Sequence, residues 1–354
     1  MRIPVPQRNN FDLLRFLFAG AVVLYHARIC SLAPELDFLR VISADLAVKS
    51  FFVVSGFLVF MSFEQSRSTR EYFGKRIRRI YPAYATVVIA AALVGACITE
   101  APWREYFSSG VWRYLAANLA FANFLAPTLP GVFVHNPVTE VNGALWTIKI
   151  EVMFYLCVPA LAWLAARSGR TRVLALAYAF GIAWSVGLGL FAARSENGTL
   201  FARLAYQLPG QLGYFAAGAL CYYHLPALRR HWTPAVALGV VGLLVGNAWP
   251  VLKFGIEPAA LALVVVFLAF GVRHLGNFAR YGDLSYGVYI IHVPVLQTLV
   301  AAGLFERSPF GALTLAIALV LALAFASWHL VEKPFLQRSS HYVVANRGAS
   351  AIRA

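Results

Sequence analysis

Ten long apolar stretches decide what this chain can fold into: about Phe11–Ile29, Ala47–Phe63, Pro82–Ile98, Trp146–Ala165, Val173–Ala193, Leu208–Tyr223, Pro234–Ala248, Pro258–Val272, Leu284–Gly303 and Phe310–Val331. A helix needs about 20 mostly apolar residues to cross a bilayer. Inside lipid, backbone polar groups must pair within the segment, which leaves helices or closed barrels. The pattern predicts an all-α, polytopic transmembrane helical bundle with about ten spans. Composition agrees, with 60% hydrophobic and 13% charged residues, against about 45–50% and about 25% in soluble domains. This excludes a disordered chain and a disulfide-stapled secreted domain. The net charge of +15 does not indicate a nucleic-acid partner, because nucleic-acid-binding domains are not this apolar. Four cysteines imply neither a disulfide framework nor a spaced metal motif.

Residues 1–335 read as one membrane domain, and 336–354 as a short, basic, disordered cytoplasmic tail. Tyr114–Ala126 is too short for a span and is expected to lie at the interface or re-enter. The first apolar run carries Arg15 and lacks a small-residue cleavage site, so it is read as the first span rather than a signal peptide. Basic residues orient the chain. With loops assigned alternately, 19 of the 30 Lys and Arg fall on the side of the N-terminus, and nine acids fall on the other. Both termini are therefore expected in the cytoplasm and the protein in the cell (inner) membrane, amid its lipids.

Ionisable groups within spans are expensive and mark function by default. Arg15 and His26 are eleven residues apart, on nearly the same helical face and about 16 Å apart along the axis. The alternative is that Arg15 snorkels to the headgroups and His26 sits at the interface. By these boundaries Glu151 is the only carboxylate well inside a span, at a depth matching His26. A carboxylate there can orient an imidazole; the alternative is a pair with Lys149 or a lone buried acid. Ser55-Gly56 suits close helix packing, with the Ser55 hydroxyl facing a channel as the other reading. The run Lys75-Arg76-Ile-Arg78-Arg79-Ile-Tyr81-Pro82 is read as a loop before the third span. It suits anionic headgroups and ligand phosphates equally. In the ninth span Ser285 and His292 share a face, and Pro294 loosens the helix.

Together these segments resemble the acyltransferase 3 family of integral membrane acyltransferases. Arg15 with His26 is similar to that family's arginine–ten residues–histidine motif. Phe51 to Phe57 is similar to its Phe-Phe-x-x-Ser-Gly-Phe motif, and Arg76, Arg79 and Pro82 to its Arg-x-x-Arg-x-x-Pro run. Trp146, Glu151, Phe154 and Tyr155 match its Trp-x-x-x-x-Glu-x-x-Phe-Tyr motif. Ser285, Tyr286, Tyr289, His292 and Pro294 match Ser-Tyr-x-x-Tyr-x-x-His-x-Pro, and Glu332-Lys333-Pro334 its closing motif. Lys49-Ser50 and Val152-Met153 depart from the pattern, and no hydrolase-like domain follows the last span.

The resemblance implies transfer of an acyl group, usually acetyl from cytoplasmic acetyl-CoA, to a hydroxyl of a carbohydrate or lipid-linked glycan at the outer face. It implies His26 as base or acyl carrier with Glu151 orienting it. Arg15, Arg76, Arg79, Tyr81, Ser285 and Tyr286 are implied around the donor. Ser55, Trp146, Tyr155, Tyr289 and His292 are implied around acceptor and oxyanion, with no metal. The competing class is a transporter or exporter of a sugar or acyl compound. Its commonest signature, paired internal repeats, is not found.

Overall fold

The computed structural model describes residues 3–276 and 278–336, without the side chains of residues 250, 251, 279 and 281. The basic tail expected beyond residue 336 lies outside the described residues. The chain folds into helices α1 (Phe11–Ser31), α2 (Ala44–Gln65), α3 (Thr69–Ile98), α4 (Val111–Leu119), α5 (Leu145–Ser168) and α6 (Arg170–Arg194). These are followed by α7 (Leu208–Tyr223), α8 (Trp232–Ala248), α9 (Pro250–Phe270), α10 (Ser285–Ala301) and α11 (Pro309–Ser327), with shorter turns between. No strand occurs among the described residues.

Every expected span coincides with a helix. Seven helical segments are long and apolar enough to cross a membrane. The remaining expected spans, α7, α8 and α10, have 16, 17 and 17 residues. At 1.5 Å per residue they fall short of the roughly 30 Å hydrocarbon core.

Three boundaries move. The third helix starts at Thr69, not Pro82, so the basic run lies on a helix rather than in a loop. The cause is a capping box: Ser68 Oγ accepts from the Glu71 amide at 3.2 Å, and Glu71 Oε2 accepts from the Arg67 amide at 2.8 Å. The expected span from Pro258 starts at Pro250, which draws Glu257 into the helix. Glu151 is therefore not the only carboxylate inside a span. Lys49 Nζ donates to Glu257 at 2.8 Å and Tyr214 Oη at 2.9 Å, so the acid is tolerated there. The Tyr114–Ala126 stretch breaks into α4 and a turn at Asn123–Leu125, with Phe121 at φ 60° between them.

The described residues form two compact units. One comprises the described residues of Met1–Leu14, Val48–Phe73 and Ile150–Gly276; the other comprises those of Arg15–Ala47, Gly74–Lys149 and Asn277–Ala354. In the first, α2 and α7 touch backbone to backbone. A Cβ on Gly56 would stand 2.0 Å from the Phe215 carbonyl oxygen, and one on Gly218 2.0 Å from that of Val53. Small residues permit such approach in a membrane. Phe154 stacks on Phe215 with centroids 4.2 Å apart. Asn10 closes the end of α9, its amide nitrogen donating to the Leu268 and Arg273 carbonyls at 3.1 and 3.3 Å. In the second unit Ala27, Cys30, Leu36, Leu39, Leu296 and Phe305 build an apolar cluster. The Pro-rich stretch before α5 is tied to α10. Asn136 Nδ2 donates to the Gln297 side chain, and Gln297 Nε2 donates to the Val138 and Glu140 carbonyls.

Prolines inside these helices remove an N–H and orphan the carbonyl four residues earlier. At two of them a side chain takes up that role. Pro294 orphans Ile290, whose carbonyl accepts from Asn142 Nδ2 at 2.8 Å. Pro159 orphans Tyr155, whose carbonyl accepts from Tyr72 Oη at 3.1 Å.

Replacing Gly56 by Ala should force α2 and α7 apart and cost about 1–3 kcal/mol or more. Gly187→Ala, with open space around the new methyl group, should be neutral or slightly stabilising. Thermal unfolding of the two variants in detergent checks the contrast.

Candidate active site

The second unit holds two of the expected site clusters, and both face α1. Arg15 and His26 project from α1 towards a segment that starts at Asp283 and runs up α10. Arg15 Nη1 donates to Asp283 Oδ2 at 2.7 Å. Eleven residues further on, His26 Nδ1 stands 3.2 Å from His292 Nε2. Arg15 is thus anchored by a buried acid, not extended to the headgroups.

Asp283 is the centre of an ion cluster. Arg79 also donates to its Oδ2. The other end of the Arg79 guanidinium donates to Glu332 Oε2 at 2.6 Å. Ser285 Oγ donates to Asp283 Oδ1 at 2.5 Å. Arg79 is flanked by the rings of Tyr286 and Trp328, with centroids 5.5 and 5.6 Å away, and Tyr286 Oη donates to the Ile80 carbonyl at 3.0 Å. Gly282 is required at the turn into this cluster. Its φ is 120°, and a Cβ there would stand 2.2 Å from the Trp328 ring. Burial opposes ionisation of Asp283, but the Arg15 and Arg79 guanidiniums and the Ser285 hydroxyl override it, holding the carboxyl below the usual carboxylate range.

Four residues expected around the donor, Arg15, Arg79, Ser285 and Tyr286, therefore meet in one place. Asp283 and Glu332, to which sequence reasoning gave no role, complete it. Their signal was available as charge balance: two guanidiniums in apolar helices require counter-ions, and these carboxylates flank the last two apolar stretches. Arg76 sits one turn before Arg79 on α3, half-buried. Tyr81 is exposed, with its ring 6.0 Å from that of Phe121.

The histidine pair fixes its own tautomers. His26 Nδ1 lies 2.9 Å from the Val22 carbonyl oxygen, and His292 Nδ1 lies 2.7 Å from that of Tyr289. A carbonyl only accepts, so both Nδ1 atoms carry hydrogen when the rings are neutral. His26 Nδ1–H is then shared between the Val22 carbonyl and the lone pair on His292 Nε2. His26 Nε2 is left as an unprotonated nitrogen on a half-buried ring. His292 is fully buried and has no N–H left over. Tyr289 Oη is 2.7 Å from Thr147 Oγ1. Trp146 is half-buried in the first turn of α5.

Glu151 and Ser55 belong to the other unit. Glu151 Oε1 accepts from Tyr155 Oη at 2.5 Å and from Ser55 Oγ at 3.4 Å. Residues 151 and 155 are one turn apart on α5, so their meeting follows from helix geometry. Among the described residues no group of three or more His, Cys, Asp or Glu could hold a metal ion.

A family model described as an acyltransferase domain matches residues 8–329. The chain belongs to this acyltransferase family. Three relatives are matched over most of their length. An O-acetyl transferase of Shigella phage Sf6 is 28% identical over 94% of this chain and 97% of its own. Nodulation protein 10 of Rhizobium leguminosarum bv. viciae is 30% identical over 93% and 94%. The exopolysaccharide production protein ExoZ of Rhizobium meliloti is 28% identical over 82% and 89%. No solved structure gives a significant match. With its apolar helices, the chain is a multi-pass membrane acyltransferase of the O-acetyltransferase type.

Asp283→Asn should destabilise the enzyme by about 3–5 kcal/mol, since it leaves two buried guanidiniums short of a counter-charge. Because the folded-state carboxyl titrates below its unfolded value of about 3.9, its contribution is complete above that pH. It is lost only as pH falls towards the depressed folded value. The stability gap between wild type and Asp283→Asn should therefore narrow as pH falls below about 3.9, as read by thermal unfolding in detergent.

Proposed function

We propose that this enzyme transfers an acetyl group from cytoplasmic acetyl-CoA to a hydroxyl of a carbohydrate at the outer face of the cell membrane. The relatives support the acceptor class: one is named an O-acetyl transferase and another an exopolysaccharide production protein. Both termini are read as cytoplasmic from the excess of Lys and Arg on that side.

The observation that carries the chemical reading is the free lone pair on His26 Nε2. In the proposed step the acceptor hydroxyl gives its proton to that nitrogen as its oxygen attacks the thioester carbonyl. The carbon–sulfur bond then breaks, and the departing thiolate takes the proton back from the imidazolium. General-base catalysis of this kind contributes about 10²–10⁴-fold. Glu151, held by Tyr155 and Ser55 within its own unit, is assigned the part of a supporting acid. Tyr289 and Trp146 are assigned to the acceptor side, where the Tyr289 hydroxyl meets Thr147 at 2.7 Å.

On the donor side the basic turn of α3 takes the phosphates through Arg76, with Tyr81 beside it. Arg15 and Arg79, expected around the donor, are assigned to its acyl arm in this reading. Two guanidiniums facing Asp283 and Glu332 make a cluster of zero net charge, which has no net pull on an anion. With Ser285 and Tyr286 they form a wall for the donor's acyl arm.

Membranes carrying His26→Ala should lose label transfer from labelled acetyl-CoA to glycan by about 10²-fold or more. Glu151→Gln should reduce it, with both proteins inserted at wild-type level. Near-normal turnover in His26→Ala would end this reading. Arg76→Ala should raise KM for acetyl-CoA and leave kcat intact at saturating donor.

A further inference from the structure

The arrangement around His26 points beyond a single base, and the inference drawn here rests on the reading of His26 given above. We propose that His292 is a positioning residue for His26. Its Nε2 accepts the Nδ1–H of His26 and steadies the positive charge that ring carries once its own Nε2 has taken the hydroxyl proton.

Three features support this. The first is direction. The chain of contacts runs one way: His26 Nδ1–H to His292 Nε2 at 3.2 Å, then His292 Nδ1–H to the Tyr289 carbonyl at 2.7 Å. A backbone carbonyl cannot donate, so it sets the tautomer of His292, and His292 in turn presents a lone pair to His26. The second is burial. His292 is fully buried and its ring centroid is 4.9 Å from that of His26. A neutral acceptor held there is stronger than the same contact in water. The third is rigidity. The Tyr289 ring is tied to Thr147 at 2.7 Å, and the Ile290 carbonyl that Pro294 would orphan is bound by Asn142 at 2.8 Å. The stretch of α10 that carries His292 is thereby fixed to the segment leading into α5.

The role is to receive a hydrogen bond that strengthens as charge develops. A hydrogen bond to a charged group contributes about 1.5–3 kcal/mol, or about 10- to 100-fold in rate. Substrate binding does not use it.

The test compares His292→Met with His292→Gln, side chains of similar length of which only glutamine offers an oxygen to His26 Nδ1–H. Label transfer from acetyl-CoA to glycan is measured in membranes. His292→Met should lower kcat about 10- to 100-fold and leave KM for acetyl-CoA within about twofold. His292→Gln should recover about tenfold of that loss. Equal impairment of the two variants, or an unimpaired His292→Met beside an inactive His26→Ala, overturns the role of His292 and leaves the base intact. An active His26→Ala instead overturns the reading beneath it. A second measurement needs no folded variant of His292. In the wild-type enzyme with ¹⁵N-labelled histidine, both rings should resonate as Nδ1–H tautomers, and an Nε2–H form at either ring overturns the proposal.

Discussion

One constraint shapes much of this structure: a polar group taken out of water is costly unless it finds a partner inside the protein. At two prolines that break the helical ladder a side chain repairs the break: Tyr72 beyond Pro159 and Asn142 beyond Pro294. Three cations in apolar helices meet carboxylates: Arg15 and Arg79 meet Asp283 and Glu332, and Lys49 meets Glu257. These repairs fix the depth and rotation of helices that apolar contact alone would leave free to slide. Arg15 pairs with a residue 268 positions later, and His26 with one 266 positions later. The near-equality of the two separations is the signature of one register between α1 and the stretch leading up α10.

The helices were legible because apolar length is local information. Their starts were not, because a start depends on chemistry that hydropathy ignores. The basic run of α3 reads as a loop by charge, yet Ser68 and Glu71 cap a helix there. Glu257 reads as the end of a span, yet Lys49 and Tyr214 make it affordable inside one. Both signals were present in the sequence. The capping box could be read directly; the lysine–glutamate pair could not, because its members lie 208 residues apart.

The site divided in the same way. The residue types at Arg15, His26, Glu151 and His292 could be singled out one by one, because each is a polar group in an apolar run. Their pairings could not. Depth alone puts His26 and Glu151 at one level of the membrane, which does not give the rotation of either helix. Within its own unit His26 turns to His292, and Glu151 turns to Tyr155 and Ser55. Asp283 was passed over for the opposite reason. It precedes the ninth apolar run, where a carboxylate looks solvated, and only the fold shows that it is buried between two arginines.

The choice of neighbour at His26 Nδ1 bears on how a base can work in such surroundings. A carboxylate at that nitrogen, in a medium of low dielectric, would favour the imidazolium even before substrate arrives, and a ring that is already protonated cannot accept a proton. A neutral imidazole in the same place does not force that outcome. It orients the ring, leaves the far nitrogen with its lone pair, and strengthens its hold only as positive charge appears. Differential stabilisation of this kind is what accelerates a chemical step, since an interaction equally strong before and during reaction changes binding alone. The Tyr289 carbonyl behind His292 makes the arrangement directional, because it admits only the tautomer whose lone pair faces His26. On this argument the expensive burial of a second histidine in the middle of an apolar helix has a reason: a membrane enzyme needs an acceptor that is polar enough to guide a base and uncharged enough not to disable it.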